Sequence, residues 1–340
     1  MRRAAGIGRA HGEKSFIKKK RQKTEGMGTW EHGSMIRLPE HLRARRRHRT
    51  VGMRGRGICM SFPRTKVENL SLPRLIMGTN WLLGWSHRSV SQDHMIQNRF
   101  QTPESFAEIV KAYLAYDIDA MMAPFGGKDA LVDGIRMAED ATGKHVIKID
   151  TPIINVGDSA ADRAEAEQVI RDCAQRGSEI CLIHHSSAEQ LVSKHKGTMD
   201  RLPDYLDMIR QHGMIPGLSA HMPELIVYSD RNEYDVQTYI QIYNCAGFLM
   251  QVEIEGVRAI IEKAKKPVMS IKPMAAGRVT PYVGITFSFA TLREQDMVTV
   301  GAHTVEEVHE DVEIALAALE HRFPNLEGRS SPNRTAALGG

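Results

Sequence analysis

The stretch "SAADRAEAEQVIRDCAQRGSEICLIHH", residues 159–185, decides the reading of the fold. Ser159 is a good helix N-cap and Gly177 a good helix stop, so 159–177 reads as one helix. At 179–185 the chain resumes as a short apolar run of strand character. The same alternation continues on both sides. Strand-like runs fall at 74–80, 118–124, 145–151, 179–185, 214–221, 236–243, 267–273 and 297–301. The helix at 102–116 has Thr102 as its expected N-cap and Pro103 at the first position. The helix at 304–322 opens with Thr304 and Glu307 at capping-box spacing. Short strand–helix alternation implies parallel strands with right-handed crossovers. Eight such units in about 250 residues predict an α/β fold, a single closed (β/α)8 TIM barrel over 70–323. An open doubly wound sheet is the alternative; no G-x-G-x-x-G follows the first strand, which counts against it.

Of the 340 residues, 42% are hydrophobic and 25% charged, an ordinary globular composition. The net charge of +4 hides a split: residues 1–59 hold 17 Lys/Arg against 4 Asp/Glu, and 60–340 hold 28 against 37. The basic runs "KKKRQK" (18–23) and "RARRRHR" (43–49) sit among glycines with no apolar period, so 1–59 is expected to be a disordered basic extension. Met60 is an alternative start, and an organelle address is a further reading. Nucleic acid is an expected partner only through this extension, where Phe16 and Trp30 are too few to interleave with the cations. Residues 324–340 are likewise expected to be a disordered tail. Cys59, Cys173, Cys181 and Cys245 show no CxxC spacing and read as reduced thiols. No run of 18 apolar residues and no apolar leader is present, so no membrane partner and a cytoplasmic location are expected.

A TIM barrel places its site at the C-terminal ends of the strands. The polar residues there are Asn80, Asp150, His184 or His185, His221, Tyr243, Lys272 and the Gly301–Thr304 turn. "NWLLGWSHRS" (80–89) follows the first strand directly, and Asn80, Trp81, Trp85 and His87 are expected to meet a substrate, the indoles by stacking on a planar or sugar-like ring. Phe125, in "FGGKD", is expected at a substrate loop.

Several motifs, taken in order, resemble the aldo-keto reductases: "ICLIHH" (180–185), "LPDYLDMIRQHGMIPGLSAHMPELI" (202–226), "YIQIYN" (239–244), "VMSIKPMAAGR" (268–278) and "VTVGAHTVEEVHEDVEIAL" (298–316). The likeness covers about 75–323. It implies that His184 is the family's catalytic histidine. Strand alternation then puts Ile180, Leu182 and His184 inside the barrel and turns His185 toward the helices. It also implies NADP(H), held through Ser219, Gln241, Arg278, Gly301 and Thr304. The rest of the family's machinery is altered. In "AMMAPFGG" (120–127), Ala120 stands at the aspartate position and Phe125 at the tyrosine position, where a phenyl ring has no proton to give. In "VIKID" (146–150), Asp150 stands at the lysine position, with Lys148 two residues deeper on the same face. Ser219-Ala220 replaces the Ser-Asn pair that would hold the nicotinamide.

The expected activity is therefore that of a small-molecule enzyme with a rebuilt site, acting on a carbonyl or sugar-like metabolite. A nicotinamide-dependent oxidoreductase is one reading, with Arg278 and the 301–304 turn holding phosphate. A divalent-metal enzyme is another, with Asp150, His184, His221 and Glu253 as ligands. A third is a metal-free lyase or isomerase: Asp150 and His184 move protons while Lys272 or Lys148 stabilises an oxyanion or forms an imine. A non-catalytic binding module is the last.

Overall fold

The computed structural model describes residues 61–326; the expectations for 1–59, for Cys59 and for 327–340 lie outside the described residues. The described chain opens with a hairpin, β1 (Arg64–Val67) antiparallel to β2 (Leu70–Pro73), turned at Glu68 with φ 51°. The barrel begins with β3 (Leu75–Gly78), β4 (Ala120–Ala123), β5 (Ile147–Asp150) and β6 (Ile180–Ile183). A small antiparallel hairpin follows, β7 (Val192–Ser193) with β8 (Thr198–Met199). Then come β9 (Ile215–Ala220), β10 (Tyr239–Ile242), β11 (Val268–Ile271) and β12 (Met297–Val300). The eight barrel strands pair in parallel in the order β3-β4-β5-β6-β9-β10-β11-β12, and β12 closes on β3 with Val298 opposite Leu75. The fold is the expected (β/α)8 barrel.

Alternation along each strand builds two apolar layers. Ile76, Met122, Ile149, Leu182, Ile240 and Met269 fill the interior, joined by Val67 and Leu72 of the first hairpin at the end where the strands begin. Met77, Met121, Cys181, Ile183 and Val298 face the helices instead. Gly217 shows how tightly the interior is filled: a Cβ there would lie 2.0 Å from Leu182 Cδ2 and 2.8 Å from the Thr238 carbonyl oxygen. A buried ion cluster ties the starts of three strands together. Arg74 donates to the carbonyls of Asp296 (3.1 Å) and Arg293 (2.9 Å). The fully buried Asp296 accepts from the Val268 N–H (2.9 Å) and pairs with Arg293 (2.7 Å).

The capping signals act mostly as read. Ser159 and Asp162 form a reciprocal capping box on the helix Ala160–Gln175. Thr304 accepts the Glu307 N–H at the start of Val305–Leu319, and Glu307 reaches back to the His303 N–H (2.9 Å). Thr102 occupies the N-cap of Pro103–Leu114, yet its hydroxyl makes no cap bond, because it serves the Glu104 carboxylate. Ser105 closes that turn on the Thr102 carbonyl instead, through its N–H (3.1 Å) and hydroxyl (2.6 Å). Cys173, Cys181 and Cys245 are free thiols. No described helix is long and apolar enough to cross a membrane.

Candidate active site

A cavity of about 690 Å³ opens where the barrel strands end. Its most constrained feature is a pair of side chains from residues 185 positions apart. Lys272, just after β11, has φ 60°, and His87, in the segment after β3, has φ 55°. A side chain in this left-handed region costs on the order of 1 kcal/mol or more and persists only where the surroundings impose it. The two meet in the cavity, Lys272 Nζ to His87 Nε2 at 3.0 Å. The Asn80 amide approaches the same Nε2 at 3.4 Å, and an amide nitrogen can only donate, so Nε2 is the acceptor and Nδ1 carries the proton. Lys272 has no ion pair among the described residues, and burial holds its ammonium below the ordinary lysine pKa. Burial, then the adjacent Lys272 charge, also lowers His87. Arg278 lies over the Phe248 ring at 4.1 Å and donates to the His87 carbonyl (3.3 Å), which ties the loop after β11 to the loop after β3.

Three more imidazoles line the same cavity in a stack. His185 lies parallel to His221 with ring centroids 3.7 Å apart, and His184 sits 4.2 Å from His185. Burial, with the neighbouring His185, lowers His184 to about 4. Burial, with His185, Lys272, His184 and His87, lowers His221 to about 3. Near pH 7 both are neutral. His184 Nδ1 accepts from the Ser186 N–H (3.3 Å) and lies 2.5 Å from its hydroxyl, which fixes the ring as the N-cap of His185–Ala188. Glu189 holds the other side: one of its oxygens accepts the N–H groups of His221 (2.8 Å) and Met222 (3.0 Å).

The expected substrate residues Asn80, Trp81, Trp85 and His87 all line this cavity, as do Ser219, Arg278 and Gly301. Other expectations are corrected. Asp150 and Lys148 do not reach the cavity, because β5 turns Ile147 and Ile149 inward and these two outward. Asp150 is 1% exposed and accepts from Arg176 (3.3 Å), the Ser178 hydroxyl (3.2 Å) and the Phe125 N–H (3.3 Å). Phe125 is fully buried in the layer between strands and helices, away from any substrate. His185 was expected among the helices, but the strand ends at Ile183 and a helix starts at His185, so alternation no longer governs its direction. The metal set is not assembled: Asp150 faces outward and Glu253 lies off the cavity. Among the described residues no group of three or more His, Cys, Asp or Glu is placed to hold a metal ion.

The residues expected to hold NADP(H) are only partly in place. Gln241 shares the outward face of β10 with Tyr239, beside Ser270 on β11, while Ile240 faces the cavity. The Thr304 hydroxyl is engaged as a helix cap. Glu307, Glu310 and Asp311, on the first turns of Val305–Leu319, line the cavity together with Arg88 and Arg278. Sequence reasoning also passed over Thr151, His303 and Glu307 as lining residues. His303 stacks on Trp81 at 5.2 Å and pairs with Glu307 at 2.7 Å; its position directly before the Thr304 cap was the available signal.

No family model and no curated protein sequence matches the chain. Among solved structures, two crystal structures described as aldo-keto reductases from Pseudomonas aeruginosa are similar to it. The first aligns with a TM-score of 0.56 at 14% identity, covering 78% of this chain and 100% of the other. The second aligns with a TM-score of 0.54 at 14% identity, covering 76% and 94%. The chain thus has an aldo-keto-reductase-like barrel fold, and the resemblance read from its motifs holds at the level of the fold.

Proposed function

We propose that this barrel is an enzyme that moves protons at a small carbonyl-bearing metabolite, as a lyase or isomerase, at the cavity built around Lys272 and His87. The carrying observation is the 3.0 Å contact between a largely desolvated amine without an ion pair and an unprotonated imidazole nitrogen. Burial makes this amine easier to deprotonate than an exposed lysine, and the imidazole can relay its proton. The His184–His185–His221 stack supplies further neutral donors and acceptors within the same cavity. Trp81 and Trp85 offer flat apolar surface for the body of the substrate. The tyrosine-led reduction of carbonyls is disfavoured, since Phe125 is a core residue with no proton to give.

The test is a pooled set of small aldoses, ketoses and 2-oxo acids incubated with the full chain, no nicotinamide added, and followed by mass spectrometry. Loss of one carbonyl compound with gain of an isomer or of cleavage products is the expected result. Turnover that begins only when NADPH is supplied would replace this reading with an oxidoreductase.

A further inference from the structure

We propose that Lys272 forms a covalent imine with the carbonyl carbon of its substrate, an aldehyde or unhindered ketone, with His87 passing the protons. The proposal rests on the proton-transfer reading above and specifies its chemistry.

Three observations converge on this atom. Lys272 Nζ lies in the cavity, faces three histidine-bearing segments and has no carboxylate partner among the described residues. A lysine kept only for its charge is ordinarily paired, whereas a nucleophilic lysine must spend time as the neutral amine. The groups facing it are imidazoles rather than anions: His87 at 3.0 Å, with His185 and His221 close enough to feel its charge. Burial opposes the ammonium form. Finally, both Lys272 and His87 hold left-handed backbone conformations, and the contact between them is where the two strained residues meet. Strain kept at two facing side chains is a mark of a position held for function.

The step balances without an added oxidant or reductant. The lone pair of neutral Lys272 Nζ attacks the carbonyl carbon, and the C=O π pair moves to oxygen, which takes up a proton from solvent. Nζ, cationic in the adduct, loses a proton to His87 Nε2. The resulting imidazolium gives that proton to the carbinolamine hydroxyl. Water leaves as the C=N bond forms. The protonated imine then withdraws electrons from the neighbouring carbon, which acidifies its C–H bond or weakens its C–C bond.

The experiment uses the full chain at pH 7 with glycolaldehyde or pyruvate as the probe and sodium cyanoborohydride as the trap. Hydride from the trap reduces the imine to a stable secondary amine, which is located by peptide mass mapping. Lys272 is expected to be labelled at least tenfold faster than any other lysine, with the selective label lost in Lys272→Arg. Labelling of Lys272 no faster than that of exposed lysines such as Lys194 and Lys265 overturns the proposal. Conversion in the pooled-carbonyl assay without selective labelling would leave proton transfer standing and exclude the imine. Selective labelling without conversion would support the imine and count against the lyase or isomerase reading.

Discussion

His184 and His221 are neutral in the fold because burial opposes their charge, and this has a consequence for stability. Above about pH 6.5, the ordinary histidine pKa, folded and unfolded chains both carry neutral rings. Below it the unfolded chain binds protons that the folded chain refuses until about pH 4 and about pH 3. Unfolding therefore gains ground as the pH falls through this window. Melting at pH 7.5 and pH 5 should show a lower Tm at pH 5, and His221→Asn should shrink the difference; an unchanged difference would mean His221 is protonated in the fold. Asp150 behaves oppositely to a catalytic group. Its carboxylate is 1% exposed and accepts from the buried Ser178 hydroxyl and Phe125 N–H, so Asp150→Ala should lose about 1–3 kcal/mol of stability in urea unfolding, the cost of leaving those donors without an acceptor. A full loss of activity with no loss of stability would return Asp150 to the chemistry. The motif resemblance, with strand alternation applied to it, made His184 legible as an inward residue. It failed for Asp150, whose face was taken from an alignment of motifs rather than from the apolar residues at 147 and 149. It failed for His185 because the strand had already ended.

At the scale of elements, the eight strands and their helices were legible because each carries its own signals: an apolar run, a cap and a glycine stop. The hairpins β1–β2 and β7–β8 were not. Their strands, RTKV, LSLP, VS and TM, carry no continuous apolar run of the kind that marks the barrel strands. The ion cluster of Arg74, Arg293 and Asp296 was equally hidden, since it joins residues more than 200 positions apart. Its removal should be costly: Asp296→Ala strips the Val268 N–H and Arg293 of their acceptor in a fully buried site. The interior layer makes a second demand. Gly217→Ala would drive a methyl into Leu182 and the Thr238 carbonyl, an overpacking expected to cost about 1–3 kcal/mol. Denaturant unfolding of Gly217→Ala beside Gly217→Ala/Leu182→Ala checks the cause. Partial rescue by the second change is expected; no rescue would place the strain elsewhere.

For the whole molecule, the fold and the chemistry part company. The barrel fold is shared with structures described as aldo-keto reductases, yet Phe125, which the motif resemblance sets at that family's tyrosine position, is a core residue, and part of the expected cofactor-binding set points elsewhere. A shared barrel does not fix a shared reaction, because the loops at the strand ends are free to diverge while the strands keep their packing. Here those loops bring five histidines and one lysine to a single cavity. The most direct measurement of the central claim is solvent-deuterium exchange at the carbon next to the carbonyl. Dihydroxyacetone, glyceraldehyde and pyruvate would be followed by NMR in D2O with the nicotinamide-free full chain. Exchange on at least one compound is predicted, accelerated well above the buffer rate and falling at least a hundredfold in Lys272→Met. Exchange no faster than buffer on every compound, or exchange indifferent to Lys272, would contradict it.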